Sequence, residues 1–361
     1  MAYTTIDDPS AHFQVQDYTG SGADRSVTNT GNSDLQPDLV WIKTDSNTSH
    51  MWQDSTRGVT KYLISNNTSA EGTASSVIQA FQTDGFSLPA GGGNNVDGEE
   101  SVAWQWKAGG GSTSTDATGD ITSTLQTNST AGFTIGTYTG NGTDNQTIAH
   151  GLGQIPDWII VKRRSGTANW AVWGNYNSWN HIMRFSGQTG GETDSASGRL
   201  GAFDNGSQGT SSIFTVFQGS SAYGNTNEDG ETYVFYAWAE KQGYSKFGSY
   251  IGNGQTDGAF VYLGFRPAFI ITKKFGTSGW FVQDIKRGIK NNDTDTPVFQ
   301  VQDNYSESAT GTTDYEIDFL SNGFKLRDDN TYVNAASGQY AYMAFAEHPF
   351  VTSTGIPTTA R

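Results

Sequence analysis

The chain has no cysteine among its 361 residues. That excludes a disulfide framework, thiolate metal sites and a cysteine nucleophile. Charge is scarce as well, at 16% Asp, Glu, Lys and Arg, and its basic part is the smaller: 21 Lys and Arg face 36 Asp and Glu, a formal net charge of −15. Phosphate backbones are gripped by clustered cations, so a nucleic-acid-binding role is excluded, and anionic membrane surfaces would be repelled. No run of 18 apolar residues occurs, and Met1-Ala2-Tyr3-Thr4 does not begin a charged-then-apolar leader. The expectation is a protein that neither spans a membrane nor is conventionally secreted. Histidine is limited to His12, His50, His150, His181 and His348, none paired at metal-ligand spacing. Nucleophile elbows, P-loops and zincin helices are missing, and Gly91–Gly93 and Gly109–Gly111 carry no Lys-Ser/Thr. The expectation is a protein without cofactor, metal or enzymatic activity.

What is present is aromatic and turn-rich: 20 Phe, 16 Tyr, 10 Trp and 45 Gly. Aromatics and threonines between Gly, Asn and Ser turns predict short strands in sandwiches or barrels, that is, an all-β fold. One motif recurs three times, as Pro37-Asp-Leu-Val-Trp-Ile-Lys43, Pro156-Asp-Trp-Ile-Ile-Val-Lys162 and Pro267-Ala-Phe-Ile-Ile-Thr-Lys273. Each is a strand opened by proline and closed by lysine six residues on, and the spacing predicts three domains of one fold. Ahead of it stand Phe13 to Gly20, Phe133 to Gly140, and Tyr250-Ile-Gly252. After it, Asp84-Gly85 and Asn322-Gly323 between apolar runs predict hairpins in the first and third repeats. Each repeat closes with a strand whose apolar residues lie two apart: Trp104 and Trp106, Tyr236 and Trp238, Met343 and Phe345, each set starting nine residues after Asn95, Asn227 or Asn334. Small residues between them fit tight packing on a neighbouring sheet.

The boundaries that follow are a first β-sandwich over residues 1–107, a Gly/Ser/Thr linker over 108–118, a divergent second sandwich over 119–243 and a third over 244–361 ending in an extended tail. The linker composition predicts flexibility between the first two, whereas Lys241-Gln242-Gly243 is too short to let the second and third move apart.

Candidate functional residues are polar and aromatic. Asp54 and Arg57 recur as Asp284 and Arg287 at the same interval from the motif lysine, while the second repeat has Trp173-Gly174-Asn175 there. Beside Trp52 the first pair makes a ledge for a sugar hydroxyl, and Trp170, Trp173 and Trp179 make a platform for a sugar ring. Core packing is the alternative for each. Glu99-Glu100, Glu228-Asp229 and Asp328-Asp329 are the carboxylate pairs a glycoside hydrolase would need, but their place in turns favours a solvated face. Asp97, Asp229 and Asn330 offer oxygen ligands for calcium without EF-hand spacing.

The chain also resembles a family of virion proteins of tailed phages that infect marine bacteria. The resemblance is carried by Met1-Ala-Tyr-Thr-Thr-Ile-Asp7, Pro37 to Lys43, Trp104-Gln-Trp-Lys-Ala-Gly-Gly110, Tyr244 to Gly254, Gly264-Phe-Arg-Pro-Ala-Phe269, Phe319 to Leu326, Tyr342-Met-Ala-Phe-Ala-Glu347, and Gly355-Ile-Pro357 to Arg361. It spans nearly the whole chain. The closing strands depart from the family pattern, which often has Cys or other aromatics there. The resemblance implies tandem concanavalin-like (jelly-roll) β-sandwiches, a non-enzymatic tail-fibre or receptor-binding role toward host surface glycans, and other virion proteins as partners. It further implies assembly in the bacterial host cytoplasm, a place on the virion exterior and, as in fibres, a homo-oligomer such as a trimer. A capsid decoration, head-fibre or adaptor protein is the alternative role, and a polysaccharide-degrading tail enzyme the third. The family brings no catalytic motif to transfer.

Overall fold

The computed structural model describes residues 2–46, 48–174, 181–186, 193–194, 209–218, 226–276, 278–287, 297–307 and 315–358. Among these the chain is all-β, built from antiparallel sheets with two short 3-10 turns at Pro9–Ala11 and Ile285–Arg287. Each repeat contributes one large sheet with a common strand order. In the first the order is Phe13–Thr19, Glu100–Trp106, Leu39–Thr44, Met51–Asp54, Lys61–Ile64, Gly72–Thr73. The third runs Ser245–Ile251, Gln339–Pro349, Phe265–Lys274, Trp280–Asp284, Phe299–Gln300. The second keeps this order from Phe133–Thr139 through Thr232–Trp238, Trp158–Arg163 and Ala171–Gly174, and adds Ser114–Asp116 and Ser123–Asn128 at its edge. The motif strand and the closing strand are therefore neighbours at the middle of every large sheet.

A smaller sheet covers one face of each large one. Val27, Phe86 and Leu88 meet Tyr18, Val40, Ile42 and Ala103 in the first repeat. Ile148, Phe214 and Val216 meet Ile159, Val161 and Phe235 in the second. Val261, Phe319 and Phe324 meet Ile270, Tyr340 and Tyr342 in the third. The expected hairpins are present, and both turn glycines are there for room. A Cβ on Gly85 would lie 2.0 Å from the Val27 carbonyl oxygen, and one on Gly323 would lie 2.1 Å from that of Val261. The recurrent asparagines are structural too. Asn95, Asn227 and Asn334 each accept the backbone N–H of Ser21, Asn141 or Asn253, and donate to carbonyls of the same turn. Each so closes the turn that carries the chain from the repeat's opening strand to its smaller sheet.

The opposite faces of the three large sheets pack on one another. Residues two apart face alike, so Leu39 and Trp41, Trp158 and Ile160, and Phe269 and Ile271 all enter a single core, while Val40, Ile159 and Ile270 face the separate outer cores. This shared core is aromatic. Trp41 lies against Trp52 and Trp104 of its own repeat, Phe185 of the second and Phe269 of the third, with centroids 4.6–6.4 Å apart. Both faces of each motif strand are thus buried, which is why it reads as an unbroken apolar run.

The stretch expected to be a flexible linker between the first two repeats is anchored by hydrogen bonds. The Ala108, Gly110 and Gly111 N–H groups donate to the buried Asp38 carboxylate at 2.7–2.9 Å. Ser114–Asp116 then pairs with Ser123–Asn128 as a sheet edge. Composition alone reads such a stretch as coil; the carboxylate that organises it lies some 70 residues upstream.

Candidate functional site: the seams between repeats

The three repeats meet at three seams, and the seams are related by a cyclic rule. The residue that strand register sets opposite each motif lysine reaches a main-chain oxygen of the preceding repeat, the third counting as preceding the first. His50 Nε2 contacts the Gln300 oxygen at 3.1 Å, Trp170 Nε1 donates to Ile64 at 2.9 Å, and Trp280 Nε1 donates to Arg184 at 2.7 Å. Those three acceptors hold equivalent register positions, opposite Met51, Ala171 and Phe281. The first repeat therefore leans on the third, the second on the first and the third on the second. His50 is fully enclosed. Trp41 Nε1 donates to its Nδ1 at 3.1 Å, so Nε2 carries the proton that Gln300 accepts. Burial, with Lys43 beside it, drives its pKa well below the usual histidine range.

The motif lysines sit at the same seams and are buried. Lys43 donates to the Thr44 and Ser46 carbonyls and lies over the Phe299 ring of the third repeat. Lys162 donates to Ala168 and, across its seam, to Thr68 of the first repeat. Burial pushes their pKa values down, to about 8 for Lys43 and about 7 for Lys162.

The repeated Asp–Arg pair closes two of the seams. Arg57 Nε lies 2.5 Å from Asp54 Oδ2, both side chains are enclosed, and the Tyr236 hydroxyl of the second repeat donates to the same carboxylate oxygen at 2.7 Å. At the next seam Arg287 Nε lies 2.8 Å from Asp284, whose Oδ2 accepts from Trp104 Nε1 of the first repeat at 3.0 Å. Burial disfavours the Arg57 charge, but Asp54, Tyr236 and Glu71 around it raise its pKa above the ordinary arginine value. Trp104 and Tyr236 are equivalent residues, and the third of the set is Met343. Methionine has no proton to donate. The position equivalent to the aspartates in the repeat that Met343 would address is Gly174. The absence of Asp-x-x-Arg from the second repeat thus goes with the absence of a donor opposite it.

The described members of the ledge and the platform lie inside the body. Trp52, Asp54, Arg57, Trp170 and Trp173 are all buried. Trp170 and Trp173 do not form one platform: three positions apart on a strand, they face opposite sides of the sheet, Trp170 into the shared core and Trp173 into the second repeat's own core. Trp179 lies outside the described residues, as does the side chain of His181. Asp97, Asp229 and Asn330 occupy turns of three different repeats and do not converge on one ion. Among the described residues no three His, Asp or Glu side chains come together at metal-binding spacing.

Open clefts lie at the seam between the first and third repeats, which the sequence did not single out. Two adjoining clefts of about 180 and 190 Å3 are divided by Lys286, whose Nζ donates to Thr30 Oγ1 at 2.8 Å. The first has a floor of Phe13, Val15, Ala268 and Ile285 beneath Gln14 and Glu347. The second is ringed by Asp17, Asp45, Glu100 and Glu307, with Arg287 and Phe299 at its wall.

The model of the family described as Domain of unknown function (DUF7483) matches residues 8–349. The chain belongs to this family. The matched span runs from just before the first repeat's opening strand to the end of the third repeat's closing strand, so the family unit takes in all three large sheets and the core they share. No curated protein and no solved structure matches the chain.

Proposed function

We propose that the chain is a non-enzymatic structural protein on the exterior of a tailed-phage virion, built as three concanavalin-like (jelly-roll) β-sandwiches and serving as a tail-fibre or receptor-binding component. The observation that supports the reading is the single aromatic core shared by the three large sheets. It makes one stiff body whose described clefts are open and below the roughly 300 Å3 at which small-molecule and substrate pockets begin. Stability without cysteines then comes from packing, as a particle exposed outside the cell requires. Burial of Trp52, Trp170 and Trp173 moves any contact with host glycans away from those side chains to the turns and seams. One chain already makes the threefold body that a trimer of single repeats would make, so the oligomer expected from fibres need not be a trimer.

A second reading, a capsid decoration or adaptor that holds other virion proteins, is favoured by a specific feature. Phe260 and Tyr262 stand 46% and 50% exposed on an edge strand of the third repeat. The equivalent residues of the first repeat, flanking Val27, are Ser26 and Thr28. Gold-labelled antibody on intact virions tests the two together. A tail signal, with recombinant protein binding host cells saturably, is the expected outcome; a head signal with no cell binding selects the adaptor. Labelling of neither would remove the protein from the particle. Release of reducing sugar from host polysaccharide would overturn the non-enzymatic reading.

A further inference from the structure

We infer that the acidic cleft between the first and third repeats is a slot for the guanidinium of an arginine side chain supplied by another polypeptide. A ring of carboxylates says little by itself. The equivalent place at the seam between the first and second repeats, where such a guanidinium is already seated, is what points to the ligand.

The equivalence follows from strand register. Lys162 pairs with Val234 as Lys43 pairs with Val102, and two residues beyond the lysines stand Arg164 and Asp45. Their N–H groups donate to Thr232 at 2.8 Å and Glu100 at 2.7 Å, themselves equivalent. Across each seam stands a glutamate bound to the arginine of the Asp–Arg pair: Glu71 to Arg57 at 3.0 Å and Glu307 to Arg287 at 2.6 Å. The glutamate main chain is anchored to the same partner in both, the Glu71 N–H to the Arg164 carbonyl and the Glu307 N–H to the Asp45 carboxylate.

There the seams part. Arg164 grips Glu71 with both prongs, Nε at 2.8 Å and Nη2 at 3.0 Å, so that glutamate has two guanidiniums. Glu307 has Arg287 alone among the described residues, and the place of the second cation is taken by Asp45 and a cleft of about 190 Å3. The electrostatics diverge accordingly. Burial raises the pKa of Glu307, with Asp45 adding to it against Arg287; Glu71, also half buried, is instead lowered by its bonds to Arg164 and Arg57. The cleft wall suits a flat cation, since the Arg287 guanidinium stacks 4.2 Å from the Phe299 centroid. Asp17 and Glu100 are exposed at the mouth. Asp45 stands where the closed seam has its arginine, and among the described residues the cations beside it, Lys43, Lys286 and Arg287, include no second guanidinium, so the slot is open to one from another chain. The formal charge of −15 favours its approach. The inference does not depend on where the protein sits in a particle.

The test is a titration of the full-length protein with N-acetyl-argininamide, followed by NMR or calorimetry. Saturable millimolar binding is expected, with N-acetyl-lysinamide weaker by about threefold or more because an ammonium lacks the planar fork. Asp45→Arg fills the slot from within: it abolishes binding and raises the melting temperature. Should that variant not fold, the double change Asp17→Asn and Glu100→Gln at the exposed mouth weakens binding by about threefold or more. No saturable binding, unchanged binding in either variant, or calcium displacing the argininamide more tightly than lysinamide does would each overturn the inference.

Discussion

The seams on the two sides of the first repeat are made from the same strands in the same register, yet one is closed and the other open. At the closed seam Asp54, Arg57, Glu71 and Arg164 alternate in sign, Tyr236 donates its hydroxyl to Asp54, and every charge meets an opposite one. At the open seam Asp284, Arg287 and Glu307 repeat the first three members, Trp104 replaces the tyrosine, and Asp45 breaks the alternation. The difference shows that a repeat protein can hold its architecture with buried polar pairs and still vary a seam by one side chain at the rim.

Both seams rest on the shared aromatic core, so the largest effect expected is from breaking that core. Trp41→Ala removes a ring that touches all three repeats and should cost about 3–5 kcal/mol. Phe86→Ala, in the first repeat's outer core, should cost a similar amount. The two should be told apart by calorimetry. If the core is one cooperative unit, the Trp41 variant melts in a single transition shifted as a whole; a split in which the third repeat melts at the wild-type temperature would show that the repeats are independent.

The second comparison is between the two Asp–Arg pairs. Asp54→Ala leaves Arg57 enclosed with Glu71 as its remaining carboxylate and should cost about 3–5 kcal/mol in denaturant unfolding, the usual result of stranding a buried charge. Asp284→Ala should cost less, because Arg287 is slightly exposed, keeps Glu307 and stacks on Phe299. Equal losses would mean that the open seam is as tightly packed as the closed one.

Much of the fold was legible in the sequence. The motif ending in Lys43, Lys162 and Lys273 located the central strand of each large sheet, and the two-residue spacing of Trp104 and Trp106 located its neighbour. Two faces of burial were written there as well: a strand such as Leu39-Val-Trp-Ile with no polar alternation has no face for water, and so needs a cover on both sides. Which surface would cover the second face was not legible, because the partner sheets lie a hundred or more residues away. For the same reason Trp52, Asp54, Arg57 and Trp170 read as surface candidates: polar and aromatic residues near a turn look alike whether the turn meets solvent or another repeat. The Asp38 carboxylate that orders residues 108–111 escaped a reading by composition for the same cause.

The motif lysines give a contrast in pH. Lys162 has a folded-state pKa of about 7 against an ordinary 10.5, so between those values the unfolded chain binds the extra proton. Stability therefore rises with pH through this window, by at most about 1.4 kcal/mol per unit for one lysine, and is level below it. Lys162→Met removes that slope along with the bonds to Thr68 and Ala168. Its deficit relative to wild type should be smallest at pH 7 and below and grow steadily toward pH 10.5 in urea unfolding, since the wild type gains with pH and the variant does not. Lys43, shifted less, should show the same sign over a narrower span. A deficit that does not grow with pH would mean that Lys162 stays charged in the folded protein.

The smallest effect belongs to the residue that distinguishes the seams. Arg164 is about a quarter exposed, and its bidentate bond to Glu71 is partly screened, so Arg164→Ala should cost only about 0.5–1 kcal/mol. Its value lies in direction. Without Arg164 the closed seam takes on the charge pattern of the open one, a glutamate with one arginine partner beside an empty place. Glu71 should then titrate higher than in the wild type, as Glu307 does now, which carboxylate NMR would read directly. An unchanged Glu71 would show that Arg57 alone satisfies it, and that a single guanidinium suffices at either seam.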